Sequence, residues 1–269
     1  MQTTRHIVAK ANALVEATYR LTLAEQRLLL LVISRIDGRE DLADPTFVVT
    51  AAEFADVFGL NGKEGYATLR DAAERLFNRA VIIDRPDPDN PSVTRTKTRW
   101  VSAIDYLPHD GRLVLTLAQK ILPYLTLLAR EFTTYRLHCV SQMRSIHAIR
   151  LYETVIQWRG AGILEIDVAA LKARFGVEKH YPRLGDFKRH VLTPAVDQIN
   201  AYSDIQVTWK QRKAGRTVVA LTFTFSPKAP TKSPAKKTIV DQRGWIEKNA
   251  RPGESWEQAR DRYLKESKL

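Results

Sequence analysis

Apolar residues recur every fourth position through YPRLGDFKRHVLTPAVDQIN, where Phe187, Val191, Ala195 and Ile199 line one side of a helix. Lys188, Arg189, His190 and Thr193 fall largely on the other side. Pro194 interrupts the pattern, so the helix must kink there or restart with Thr193 as cap and Pro194 at the first position. Just upstream, Asp167 reads as an N-cap, Val168, Leu171 and Phe175 as an apolar face, and Gly176 as a stop. Downstream, Ile205, Val207 and Trp209 alternate with polar residues, a turn follows over 213–216, and Val219, Leu221, Phe223 and Phe225 alternate on the return. Helix, turn, basic helix and basic hairpin is the order of a winged-helix domain.

The earlier half carries the same order. Residues 1–20 read as an N-terminal arm. Thr22-Leu-Ala-Glu25 is a capping box that opens LAEQRLLLLVISRI, a helix leucine-rich enough to be buried on most sides. Leu14, Leu21 and Leu28 are spaced by seven, but Arg35 ends the series, which favours core packing over a zipper. Phe47-Val-Val predicts a short strand, and Thr50-Ala-Ala-Glu53 a second capping box. Phe54 and Phe58 face inward and Gly59 stops that helix. Tyr66, Leu69, Ala73, Leu76 and Phe77 give the next helix, followed by a strand over 81–84 and the proline-broken loop RPDPDNP. Residues 95–106 and 112–117 predict one long hairpin.

Phe58-Gly59 with Tyr66-x-x-Leu69 is echoed by Phe175-Gly176 with Tyr181-x-x-Leu184. The pattern therefore predicts an α+β chain of two tandem winged-helix domains, over 21–125 and 126–225, with the leucine-rich stretch 118–143 packing them together. The second domain opens with a helix bearing Ile149, Tyr152, Ile156 and Trp158. Residues 226–269 form a basic Pro/Lys linker and a short helix capped at Ser255, either a frayed tail or a docking peptide.

Charge then sharpens the reading. The net charge of +12 and pI near 9.8 point to a polyanionic partner. Arg183, Lys188, Arg189, His190 and Thr193 are candidates to read double-stranded DNA from the recognition helix. Lys210, Arg212, Lys213 and Arg216 gather at the hairpin tip, where they can reach a phosphate backbone. In the first domain Lys63, Arg70 and Arg75 share their helix with Asp71 and Glu74, while Arg95, Lys97 and Arg99 alternate along the predicted hairpin. That mixture suits register or a protein interface, with the second domain supplying most of the affinity.

Chemistry is not expected. The six histidines show no metal-binding spacing, and a single cysteine, Cys139, can build neither a disulfide nor a zinc site. Gly62-Lys63 lacks the other residues of a phosphate-binding loop, and Tyr181 beside His180 has no histidine pair to make it a nicking nucleophile. No cofactor, metal or catalytic residue is assigned. No stretch has the length of a signal peptide core or a membrane span, so a cytoplasmic protein without membrane contact is expected.

With these residues in view, the chain resembles the iteron-binding replication initiators of theta-replicating plasmids. The resemblance rests on N-x-L-V-x-A-x-Y-x-L-T-x-x-E-Q-R-L over Asn12 to Leu28, R-L-Y-E over Arg150 to Glu153, and F-K-R-x-V-L-x-P-A-V-x-x-I-N over Phe187 to Asn200. It implies two winged-helix domains, with the main recognition helix on Phe187 to Asn200 and the family's N-terminal helix pattern on Leu21 to Ile36. It further implies a monomer on directly repeated origin sites, recruitment of the host replication initiator and replicative helicase, and a dimer that represses the initiator's own promoter. A winged-helix transcription regulator without a replication role would share every DNA-facing residue.

Overall fold

The computed structural model describes residues 6–60, 62–84, 92–126, 131–228 and Gln258, with side chains left out at 62–64. The loop RPDPDNP and the helix expected after Ser255 therefore lie outside the described residues, apart from Gln258. In chain order the elements begin β1 (Ile7–Ala11), α1 (Asn12–Glu16), β2 (Thr18–Tyr19), α2 (Leu23–Ile33), β3 (Thr46–Thr50), α3 (Ala51–Phe58) and α4 (Gly62–Phe77). There follow β4 (Ala80–Ile83), β5 (Thr96–Arg99), β6 (Val101–Leu107), β7 (Arg112–Leu117), a 3-10 segment Gln119–Tyr124, β8 (Phe132–Arg136) and α5 (His138–Ser141). The chain then runs through α6 (Ile146–Ile156), β9 (Ile163–Asp167), α7 (Val168–Phe175), α8 (Leu184–Phe187), a π-turn Lys188–Leu192, α9 (Thr193–Tyr202), β10 (Ile205–Ala214) and β11 (Thr217–Pro227).

The internal echo is a repeat of topology. One three-stranded sheet has the order β3-β7-β6 and another β9-β11-β10, so each short strand ahead of a helix-turn-helix pairs with the return strand of its own wing. Both first helices of the pair end on a glycine in the left-handed region, Gly59 at φ 62° and Gly176 at φ 66°, where a Cβ would be strained. The Thr22 hydroxyl accepts from the Glu25 N–H while the Glu25 carboxylate accepts from the Thr22 N–H, a complete capping box. At the second box only half forms: the Thr50 hydroxyl accepts from the Glu53 N–H, but the Glu53 carboxylate turns to Arg35. Asp167 holds the N-cap position without a side-chain cap bond.

Two expectations change. The first 20 residues are not a free arm over their described part: β1 pairs antiparallel with β8, β2 pairs with β4, and Val8, Leu14 and Tyr19 are buried. Nor is there one long hairpin over 95–117. Fully buried Trp100, edge-on to Tyr19 at 5.0 Å, ends β5 and begins β6. β5 joins the sheet β2-β4-β5, and only β6 and β7 form the first wing. A single buried indole drives the split, because it pulls the backbone out of one sheet plane between two strands.

α2 is buried from Glu25 to Ile33, and Leu14, Leu21 and Leu28 sit in the core from separate segments, so the heptad spacing serves packing. The stretch 118–143 contributes Ile121, Leu122, Tyr124, Leu125, Leu137, Val140 and Met143 to the same core. At about 1.5–3 kcal/mol for each large side chain, such burial makes it a structural partition rather than a swinging linker.

Helix α6 is the strut between the halves. It packs on α9 and α1. The R-L-Y-E sequence explains how. The buried Arg150 guanidinium donates to the carbonyls of Ala17 at 2.8 Å and Arg174 at 2.6 Å and lies over the Tyr19 ring at 3.7 Å. Tyr152 donates to Asp204 at 2.8 Å. Glu153 is wholly buried and accepts from Lys10 of β1 and Tyr135 of β8. Three polar residues of one helix thus bond to elements on both sides of it, which ties β1, β8 and the segment before β2 to α7 and to the start of the second wing.

Candidate nucleic-acid interface

The recognition helix is continuous from Leu184 to Tyr202, with helical dihedrals at each junction. The helix does not restart on a Thr193 cap at Pro194: Leu192 and Thr193 keep helical dihedrals and no side-chain cap bond forms there. Proline lacks the N–H that would bond four residues back, and its ring crowds that carbonyl. The chain answers with a π-turn in which the Thr193 N–H donates to the Lys188 carbonyl. The one added residue turns the upstream half by about 100° relative to the downstream half. Phe187, Val191, Leu192, Ala195, Val196 and Ile199 all remain buried.

Opposite that stripe, Arg183, Arg189, His190 and Thr193 are exposed and Lys188 is half-buried. Tyr181 packs edge-on to Phe187 and stacks on the His190 ring, each at 6.4 Å, so it braces the helix. Lys172 of α7 donates to the Tyr181 carbonyl at 2.6 Å and lies 5.6 Å from the Phe187 ring centre. The wing comes to the helix through Lys188, whose Nζ is 3.5 Å from Gln211 Oε1 on β10. Helix and wing therefore form one surface.

That surface is unevenly neutralised. Arg212 donates to Glu165 on β9 at 2.8 Å, and Thr222 donates to the same carboxylate at 3.2 Å. By contrast Arg183, Arg189, Lys210, Lys213 and Arg216 pair with no carboxylate among the described residues. Gln211, between two basic neighbours and facing Lys188, belongs with this surface although its neutral side chain gave no signal in the sequence.

The first domain differs. Arg70 is paired to Asp71 at 3.3 Å, and Arg75 donates to the Asp71 carbonyl at 3.2 Å. Arg95 pairs with Asp84, and Arg99 donates to the Phe77 carbonyl at 3.1 Å while covering the Phe77 ring. The Lys63 side chain lies outside the described residues. Arg95, Lys97 and Arg99 lie on or beside β5, away from the wing where the long hairpin would have put them. The true first wing carries Asp105 and Asp110, and its Arg112 is paired to Asp110. Lys97 is exposed and has no ionic partner among the described residues.

Among the described residues no group of three His, Cys, Asp or Glu is placed to hold a metal ion. No helix among them is long and apolar enough to cross a membrane. Cys139 is buried, and burial pushes its thiol pKa up.

Two family models cover this architecture: "Initiator Replication protein, WH1" matches residues 7–156 and "Initiator Rep protein, WH2" matches residues 167–225. The chain belongs to the initiator replication protein family. The first match includes α6, which the sequence pattern assigns to the second domain. Among relatives, a "Replication initiation protein" of Escherichia coli is 24% identical over 225 residues, covering 81% of this chain and 68% of the relative. The "PI protein" of Escherichia coli is 23% identical over 245 residues, covering 80% of each. An uncharacterised 27.6 kDa Escherichia coli protein is 26% identical, covering 80% of this chain and 93% of its own. The fold matches that of the "Pi initiator protein in complex with iteron DNA", with TM-score 0.71, 21% identity, and coverage of 84% of this chain and 99% of that one. The tandem winged-helix reading of this family member stands.

Proposed function

We propose that this initiator binds directly repeated double-stranded DNA sites at a plasmid origin, reading bases mainly with the second domain and starting replication there. The carrying observation is the asymmetry of free charge: the second domain's helix and wing keep six Lys and Arg side chains, Lys188 among them, without a carboxylate partner among the described residues, while four first-domain arginines are held internally. Unpaired cations release counterions from phosphate most favourably, and arginine near the start of a recognition helix can pair with guanine. The solved relative whose title names iteron DNA shares the fold and supports the repeat as ligand. In this reading the first domain adds register and a surface for self-association. The initiator hands the opened origin to the host initiator and helicase in the cytoplasm, and a dimer represses its own promoter. The reading involves no catalysis by the chain itself.

The test is anisotropy titration on single origin repeats against scrambled DNA at matched salt. Tight binding at one protein per repeat is expected. Arg189→Ala should weaken specific binding by about 1–3 kcal/mol if Arg189 reads a base. Binding confined to an inverted repeat would instead describe a transcription regulator, and equal affinity for scrambled DNA would overturn the proposal.

A further inference from the structure

A cleft of about 220 Å³ lies beside α6 where the two winged-helix halves meet. Tyr19, Arg20 and Leu21 line it from the first half, Phe175, Gly176 and Val177 from the end of α7, and Ile146, His147 and Arg150 from α6. Three of these residues carry buried polar atoms with no hydrogen-bond partner among the described residues: Tyr19 Oη, His147 Nδ1 and Arg150 Nη1. Arg150 Nη2 is satisfied by two carbonyls, yet the guanidinium, in a residue 3% exposed, meets no carboxylate among the described residues. A buried cation compensated only by carbonyl dipoles and a tyrosine face is costly, and an anion is what removes the cost. Hydroxyl and guanidinium both offer hydrogens, and a neutral imidazole offers one at Nδ1 in one tautomer. His147 is held below its usual pKa, first by burial and then by the Arg150 charge, which keeps the ring neutral at pH 7. At the rim Arg20 adds a second cation, partly answered by Glu178 at 3.9 Å.

We propose that this cleft binds a small oxyanion of the size of inorganic phosphate, held by Arg150, His147 and Tyr19, and that the ion fastens the first half to the second. The volume lies below the range of pockets that take drug-sized ligands, so a free ion fits it better than a nucleotide. A water molecule could satisfy the dipoles but would leave the charge of Arg150 unanswered.

The experiment is hydrogen exchange and thermal unfolding of the full chain in sodium phosphate against sodium chloride at equal ionic strength and pH, with adenosine monophosphate as a further probe. Phosphate should slow exchange saturably at both 19–21 and 175–177, stretches that belong to different halves, and should raise Tm. Tyr19→Phe keeps the ring against Trp100 and Arg150 and removes the hydroxyl, and His147→Phe keeps the stack on Phe175 and removes both ring nitrogens. Each should raise the half-saturating phosphate concentration at least fivefold. Arg189→Ala on the recognition helix should leave it unchanged. Equal protection in chloride would overturn the proposal, as would tighter saturation by adenosine monophosphate than by phosphate. So would a phosphate effect lost in Arg189→Ala but kept in the two cleft variants. DNA binding enters none of these readouts, so the cleft and the iteron reading fail separately.

Discussion

Arg212 and Lys213 are adjacent in sequence and alike in charge, yet only one is free. Glu165 holds the Arg212 guanidinium at 2.8 Å, so a phosphate contact by Arg212 must compete with that carboxylate. Lys213 is exposed at the tip with no such competitor among the described residues. Lys213→Ala should therefore flatten the plot of log affinity against log salt by about 0.9 if it neutralises one phosphate. Arg212→Ala should flatten it less, and Glu165→Gln should restore Arg212 as a full contact and steepen the plot. Identical slopes for Lys213→Ala and Arg212→Ala would show that the ion pair dissolves on DNA. Asp204 couples stability to pH. Burial alone would raise its pKa, but the hydrogen bond from Tyr152 and the charge of Arg159 together outweigh burial and hold it below the usual value of 3.8. With a depressed folded pKa, its stabilising contribution is complete above the unfolded value and disappears as pH falls through the folded one. Asp204→Asn should lower the denaturant midpoint at pH 7, and the difference from the parent should shrink as pH drops below about 4. A constant difference down to strong acid would mean that the carboxylate charge is irrelevant there.

At the scale of elements, the recognition helix was legible in an unusual way. A strict spacing of four drifts by about 40° per step on an α-helix, about 120° from Phe187 to Ile199. One π-turn takes back about 100° of that, which is why all four residues of the stripe are buried together. The spacing and Pro194 are two marks of one feature, although periodicity alone reads only as a helix with a break. Deleting His190 should close the turn to α-helix while keeping Phe187 and Ala195 inward, and with Phe187 the upstream basic residues Arg183 and Lys188 in their present direction. Specific affinity should then match that of His190→Ala, which removes the same side chain but keeps the turn. Clearly weaker binding by the deletion would mean that the turn itself shapes the reading surface. Other elements were hidden for stated reasons. The alternation over 95–106 is continuous across Trp100, and nothing local marks that an indole there enters the core between two sheets. The short β1 and β2 gain their strand character from partners far along the chain, β8 and β4, which no window of sequence contains. The ion pairs that occupy the first-domain arginines involve Asp71 and Asp84, of which only the first lay close enough to be noticed in sequence.

For the whole molecule, the boundary of the folded unit decides which truncation is informative. β11 runs through Pro227, whose partner in register is Ile205, so the ordered sheet outlasts the change in composition at Ser226. A cut after Phe225 would strip the last two paired positions from the sheet that carries the wing. A cut after Lys228 removes residues 229–269 alone, a stretch with ten Lys and Arg against six Asp and Glu. Its net positive charge can add sequence-independent attraction to DNA, and none of the candidate base-reading residues lies in it. The shortened chain should therefore keep the ratio of affinities for cognate and scrambled DNA. Any loss should be shared by both and should diminish as salt rises. If the tail instead serves as a docking peptide for a host replication protein, the same chain should bind origin repeats and fail to recruit that protein in a reconstituted opening assay. Loss of the affinity ratio would bring the tail into base recognition, and full recruitment without it would move the host contact onto the two winged-helix domains.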